Sequence, residues 1–263
     1  MLSIHQFALY LHIAIGSCAL ILFWIPVVTR KGNLDHKRFG RYFAYAMYTV
    51  SLSGILMATT DLALPIAMHA PGVSLTAEEA IAVSNEVRDF ALFLLSLSIL
   101  VLTSTRQGWL TILHKSDRLA LRSPAHTGLC VSLVAVGLAL LANGLRTGST
   151  VFIIFSILQI ITGVNNLRYN FKKELRPKEW WLQHLSGLFG AGIGAYTAFF
   201  VFGGRRIMDT IFGDLYTDYS IVLWIAPGVI GGVAIGFVSR HYKQKFGGAW
   251  LVKKARTRSA LFS

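Results

Sequence analysis

Apolar residues along this chain fall in long, nearly unbroken runs with short polar segments between them. Seven such runs lie at about 6–28, 42–63, 88–105, 125–145, 150–167, 181–203 and 219–239. Most are near the ~20 residues that an α-helix needs to cross roughly 30 Å of hydrocarbon. None shows the short alternating strands of a membrane β-barrel. The pattern predicts an all-α, polytopic transmembrane bundle of seven spans, forming one domain over residues 1–263 with a basic tail at 240–263. The third run is the least sharply bounded, because "RQGWLTILH" can prolong it along the interface. Between the second and third runs, "SLTAEEAIAV" has a capping residue followed by early acids, which predicts a short surface helix. Pro227 lies inside the seventh run and is expected to kink it. No internal repeat is evident.

Composition agrees with this class. Of 263 residues, 54% are hydrophobic and 14% charged, and mean hydropathy is +0.57. Soluble domains carry about 25% charged residues. The net charge of +13 is spread over short inter-span segments. That excludes a nucleic-acid patch and gives orientation instead. Segments 29–41, 106–124, 168–179 and 240–263 hold 21 Lys and Arg, against 4 on the other side (Arg88, Arg146, Arg205 and Arg206). The basic side faces the cytoplasm by the positive-inside rule, so the N-terminus is outside, as expected for a bacterial-type inner membrane. The acids Asp61, Glu78, Glu79, Glu86, Asp89, Asp209, Asp214 and Asp218 lie on the outer side. The cations of "HKRFGR" meet anionic headgroups at the cytoplasmic face, at about 1 kcal/mol each. Tyr42, Phe43, Tyr45, Trp180 and Trp181 read as interfacial aromatic belts. Cys18 and Cys130 each lie within a span and define no disulfide framework. No cationic segment precedes the first run, which reads as a retained span.

Small residues mark the faces where helices meet. Span two carries Ser51, Gly54, Ala58 and Asp61 on one stripe; span six carries His184, Gly187, Ala191, Gly194 and Ala198; span one carries His12, Gly16 and Ala19. Gly228, Gly232 and Gly236 form a doubled GxxxG in the seventh span, a surface suited to packing or to a homo-oligomer. His12, Asp61 and His184 share stripes with small residues and are therefore expected to face protein. An ionisable group inside a membrane is costly and turns toward a partner or cavity.

The polar residues gather at two levels. His36, His114, His126 and His184 stand at the cytoplasmic level with Asn165 and Asn166; His12, His69, Asp61, Arg88, Asp89 and Arg146 stand toward the outside. Two candidate sites follow. One is an outer pocket of His12, Asp61, Arg88 and Asp89. The other is a cytoplasmic-level site of His184 with His126 or His36, a haem or metal site because imidazole ligates both. In that reading Gly187 and Ala191 make room for a macrocycle. Competing with both are a solvated or lipid-facing His36 and His114, an interfacial His126 at its helix start, and an ordinary interhelical hydrogen bond at His12 and His184, with Asp61 and Asp89 paired to Arg88 and with His5 and His241 interfacial. HExxH, HxxxH, Walker and GxSxG motifs are absent, as are the paired histidines of membrane zinc hydrolases.

The segments "LHIAIGSCALILF", "KGNLDHKRFGRYFAYAMYTVSLSGILMA" and "WWLQHLSGLFGAGIGAYTAFFVF" resemble a large bacterial family of multi-spanning membrane proteins of unknown function. The resemblance rests on His12 and Gly16, on His36, Gly40 and Arg41, and on His184 with Thr197, Ala198 and Phe199. It implies no reaction. Three classes of function stay open: a haem- or metal-binding redox component, a proton-coupled transporter or channel, and a structural or assembly protein without a site.

Overall fold

A computed structural model describes residues 2–203, 210, 222 and 224–240. Among these the chain is helical, with no strand. Helices α1 (Leu2–Val28) and α2 (Leu34–Ala63) form a first antiparallel hairpin. The five-residue α3 (Pro65–His69) follows α2 after the single residue Leu64, and α4 (Ala77–His114) is the longest element, at 38 residues. A second hairpin is made by α5 (Pro124–Thr147) and α6 (Thr150–Phe171), then α7 (Glu179–Ala198) runs into a π turn at Phe199–Gly203. We label the helical stretch Trp224–Arg240 α8. Six helices, α1, α2, α4, α5, α6 and α7, are long and apolar enough to cross a membrane. The protein has the build of a multi-pass membrane protein.

Local chemistry accounts for the helix starts. The Asn33 side chain accepts the His36 N–H at 2.7 Å and caps α2. Thr76 and Glu79 form a reciprocal capping box on α4, which satisfies two of the donors a helix start leaves unpaired. Ser123 caps α5 and Pro124 takes its first turn, where proline's missing N–H costs nothing. Gly148, at φ +70, closes α5 and lets α6 begin two residues later.

The third span differs from the sequence expectation. The short surface helix predicted over "SLTAEEAIAV" is not separate; it is the first part of α4, which extends the span from 88–105 to 77–114. No proline interrupts residues 77–114, so the capped start propagates into the apolar run. Residues 77–87 mix Glu78, Glu79, Asn85 and Glu86 with apolar residues and carry no span signal, so the capping box marks this start.

The two hairpins sit on either side of α4, which packs against α2, α5 and α7, while α1 packs against α2 and α7. Ala19, Phe23, Phe43, Ala46, Met47 and Ala191 form one buried apolar cluster between α1, α2 and α7. The Phe23 ring lies over Gly192, filling the space that a Cβ there would take. Phe43 is therefore core, not interfacial belt: it is 2% exposed, whereas Tyr42 and Tyr45 face outward. The four-residue phase from Phe43 to Met47 places it on the buried face of α2. On the other flank Phe93 stacks on Phe152 at 5.0 Å and meets Trp224 at 5.1 Å, which docks the start of α8.

Backbones approach closest between α4 and α7. A Cβ on Gly187 would stand 2.7 Å from the Ser104 carbonyl oxygen and 2.8 Å from the Gly108 Cα. This is the small-residue packing that lipid-embedded helices use in place of a hydrophobic driving force. A Cβ on Gly228, Gly232 or Gly236 of α8 would meet no neighbouring element within 4 Å among the described residues, whereas one on Gly231 would collide with Ile193 of α7. The tail 241–263, His241, Arg205, Arg206, Asp209, Asp214, Asp218 and most of 219–223 lie outside the described residues.

Candidate functional site

His12 sits midway along α1 and its Nδ1 lies 2.9 Å from the Ser53 Oγ on α2. The Ser53 hydroxyl donates to the Thr49 and Val50 carbonyls, at 2.8 and 3.0 Å. Its oxygen is thus the acceptor and His12 Nδ1–H the donor, which leaves Nε2 as a bare lone pair. Small residues bring α1, α2 and α4 together here: a Cβ on Gly54 would collide with Ser98 and stand 3.5 Å from the His12 ring.

One face of α1 repeats this arrangement two turns earlier. His5 lies seven residues before His12, and its Nδ1 is 3.4 Å from Thr60 Oγ1 and 3.6 Å from Asp61 Oδ1. Asp61 is buried, and its Oδ1 is also 3.2 Å from the Nε2 of His69 on α3. All four members of the α2 stripe, Ser51, Gly54, Ala58 and Asp61, are buried.

The four residues of the outer pocket each make a separate set of contacts. His12 meets Ser53, Asp61 meets His5 and His69, and Asp89 pairs with Arg146, which also donates to Asn143 at 2.7 Å. Arg88 reaches neither acid; its Nε donates to the Leu62 carbonyl at 3.2 Å. The expected pairing of Asp61 and Asp89 with Arg88 is replaced by imidazole and Arg146 partners, because α3 folds His69 back over α2 and α5 brings Arg146 to α4.

At the opposite end of α2 from Asp61, His36 Nδ1 donates to the Pro26 carbonyl at 3.0 Å, and His184 Nδ1 donates to the Gly108 carbonyl at 3.0 Å. Both rings are half-buried, with no hydrogen-bond partner for Nε2 among the described residues, and His36 lies within electrostatic reach of His184. Arg106 faces the Tyr48 hydroxyl between α2 and α4. His114, at the last turn of α4, is exposed.

His126 belongs to a different network. It is fully buried and donates from Nε2 to Gln107 Oε1 at 2.6 Å; Gln107 in turn donates to Asn170 Oδ1 at 2.8 Å. Gln107 and Gly108 are adjacent on α4, about 100° apart around its axis, so His126 and His184 approach different faces. Farther along, Gln159 of α6 donates to Ser96 of α4 at 3.0 Å. Asn166 accepts from Gln183 at 2.9 Å. Sequence reasoning passed over Gln107, Gln159 and Asn170. The signal for Gln159 and Asn170 was the 4–3–4 spacing of Gln159, Gly163, Asn166 and Asn170 on α6; Gln107 lies on α4, outside that pattern.

The room imagined for a macrocycle beside Gly187 and Ala191 is taken. Gly187 lies on the α4 backbone and Ala191 belongs to the Phe23–Phe43–Met47 cluster. Among the described residues, no group of three or more His, Cys, Asp or Glu side chains is arranged to hold a metal ion.

Residues 128–199 match the family described as "Short repeat of unknown function (DUF308)". The match runs from α5 through α6 and α7 and covers just over a quarter of the chain. It is compatible with an uncharacterised family of membrane proteins. No curated protein and no solved structure matches the chain.

Proposed function

We propose that this multi-pass protein translocates protons, as a proton-coupled transporter or channel, along the face shared by α1, α2, α4 and α7. One observation carries the reading. His12, His36 and His184 are each held by an Nδ1–H···O bond, which leaves Nε2 as the basic nitrogen. An imidazole fixed in that form takes a proton at one defined point and can release another from Nδ1. Polar groups recur at spaced levels along α2: Asp61, then Ser53 with His12, then Tyr48 with Arg106, then His36. From residue 61 to 36 the helix rises about 37 Å, a bilayer thickness. Chains of Asp and His across a membrane are the usual signature of proton relays.

In this reading α8 is the seventh span and 21 of the 25 Lys and Arg hold the cytoplasmic side of a bacterial-type inner membrane, with the N-terminus outside. Anionic headgroups meet the "HKRFGR" mouth, and the glycine stripe of α8 faces a second copy. The paired-imidazole alternative, with haem between His184 and His36 or His126, is disfavoured by the filled space at Gly187 and Ala191.

The test is proton uptake into liposomes carrying a trapped pH dye under an imposed potential of either sign. Wild-type protein should acidify the lumen under an inside-negative potential and alkalinise it under an inside-positive one, each faster than protein-free liposomes, and His12→Ala should reduce that rate about a hundredfold or more, the size of a lost general acid–base group. Wild-type flux equal to the protein-free control under both polarities overturns the reading. A Soret band in the purified protein that His184→Ala abolishes would replace it with the haem reading.

A further inference from the structure

A groove of about 550 Å³ runs along the outside of the bundle between α1 and α7. Leu20, Ile21, Trp24 and Val28 of α1 line it together with Tyr196 and Phe199. Its wall is held in place. Trp24 Nε1 donates to the Tyr196 hydroxyl at 2.6 Å, and that hydroxyl donates to the Leu20 carbonyl at 2.9 Å. The Tyr196 ring also meets Phe23 edge-on at 5.9 Å, and Phe23 belongs to the core. With these polar atoms paired to one another, the groove offers a visitor apolar surface. Ile21, Trp24 and Val28 are exposed, so it opens away from the protein. In a multi-pass protein that side meets hydrocarbon. From Leu20 to Val28 the helix rises about 12 Å, most of the ~15 Å that one leaflet contributes to the hydrocarbon core.

Positive charge stands at one end of this groove. Lys31 folds back on α1: its Nζ donates to the Pro26 carbonyl at 2.8 Å and also to the Val27 carbonyl, in the same turn as Val28. An ammonium has three donors, so one is left for a visitor. Arg30 is exposed beside it. Residues 29–41 carry five Lys and Arg against one acid, Asp35, which lies within electrostatic reach of Arg38.

We infer that the groove between α1 and α7 binds one acyl chain of an anionic phospholipid, whose phosphate sits at Lys31 and Arg30. A dry furrow almost one leaflet long, with cations at one mouth, complements a hydrocarbon chain that ends in an anion. The chain lies along Trp24 and Tyr196, and the phosphate accepts from the remaining Lys31 donor and from the Arg30 guanidinium. Because the Trp24–Tyr196–Leu20 hydrogen bonds already fix the wall, little ordering of the protein is spent on binding. The cations select an anionic headgroup over a zwitterionic one, since each Lys or Arg near the headgroups adds its own attraction for negative charge.

The site goes beyond proton translocation and needs only the multi-pass build, so either reading can fail alone. Native mass spectrometry of the full chain in detergent, titrated with dioleoyl-phosphatidylglycerol or dioleoyl-phosphatidylcholine, tests it. The first phosphatidylglycerol should bind about thirtyfold more tightly than the first phosphatidylcholine, as two cations at about fivefold each would give. Arg30→Gln, at an exposed side chain, should remove about fivefold of that preference, and Arg30→Gln with Lys31→Gln about tenfold or more. Ile21→Trp fills the groove from an exposed position and should weaken both lipids by roughly tenfold while keeping the preference between them. Equal affinity for the two lipids in the wild type, a preference that survives the double change, or binding unaffected by Ile21→Trp overturns the inference. A dimer that retains no lipid would give the groove to a second copy and overturn it as well.

Discussion

Gly187 rests on Gly108: a Cβ on the first would stand 2.8 Å from the Cα of the second. Neither helix can yield locally, because the contact is backbone against backbone. Gly187→Ala should therefore destabilise the protein by about 1–3 kcal/mol, the usual cost of overpacking. Gly190 lies on the same helix with nothing within 4 Å of its Cβ position. Gly190→Ala should be neutral or stabilising by up to about 1 kcal/mol. Thermal unfolding in detergent distinguishes the two, and equal effects would refute the packing argument.

Arg118 and Arg122 close the end of α6. Arg118 Nη1 donates to the Tyr169 carbonyl at 2.9 Å and Arg122 Nε to the Asn170 carbonyl at 2.8 Å. These are carbonyls that a helix end leaves unpaired. Each Arg→Ala change should cost about 1.5–3 kcal/mol. It should also raise protease cleavage in 172–178, where Arg118 and Arg122 further reach the Lys173 and Lys172 carbonyls at 3.4 and 3.5 Å.

Gln107 holds both His126 and Asn170. Gln107→Leu leaves two buried polar side chains without their partner and should cost about 1–3 kcal/mol. Replacing His126, Gln107 and Asn170 together by leucine should cost less than the single change, since an all-apolar cluster leaves no orphan. Proton flux should survive that triple replacement, because the network lies on the other face of α4 from His184. Unfolding in mixed micelles and the liposome assay read the two outcomes.

Orientation is open to a direct test. A reporter fused after residue 72 should be active only outside, and one fused after the last residue only inside, as the 21-to-4 Lys and Arg asymmetry requires. The opposite pair of results would overturn the orientation or the number of spans.

The six long helices were legible because apolar runs leave a strong signal, and the inward face of Asp61 was legible from Ser51, Gly54 and Ala58. Its partners were not. His69 meets Asp61 only because α3 turns back after Leu64; Pro65 marks the break in the helix but not the direction in which α3 folds. Phe43 was misread as interfacial because the belt rule uses depth and ignores helical phase. The partner of His126 was not legible, because Gln107 comes from a helix packed through the Gly108–Gly187 contact, which lies beyond any local pattern.

The 38 residues of α4 make a rod about 57 Å long, nearly twice the thickness of hydrocarbon. It contains no proline, and its one glycine, Gly108, is clamped by α7. Such a rod moves as a lever rather than by bending. A tilt of about ten degrees around its midpoint would carry each end some 5 Å, close to one helical turn. The capped start of α4 and the Gly108 carbonyl that aims His184 are two points on the same beam, so leverage applied at one is displacement at the other.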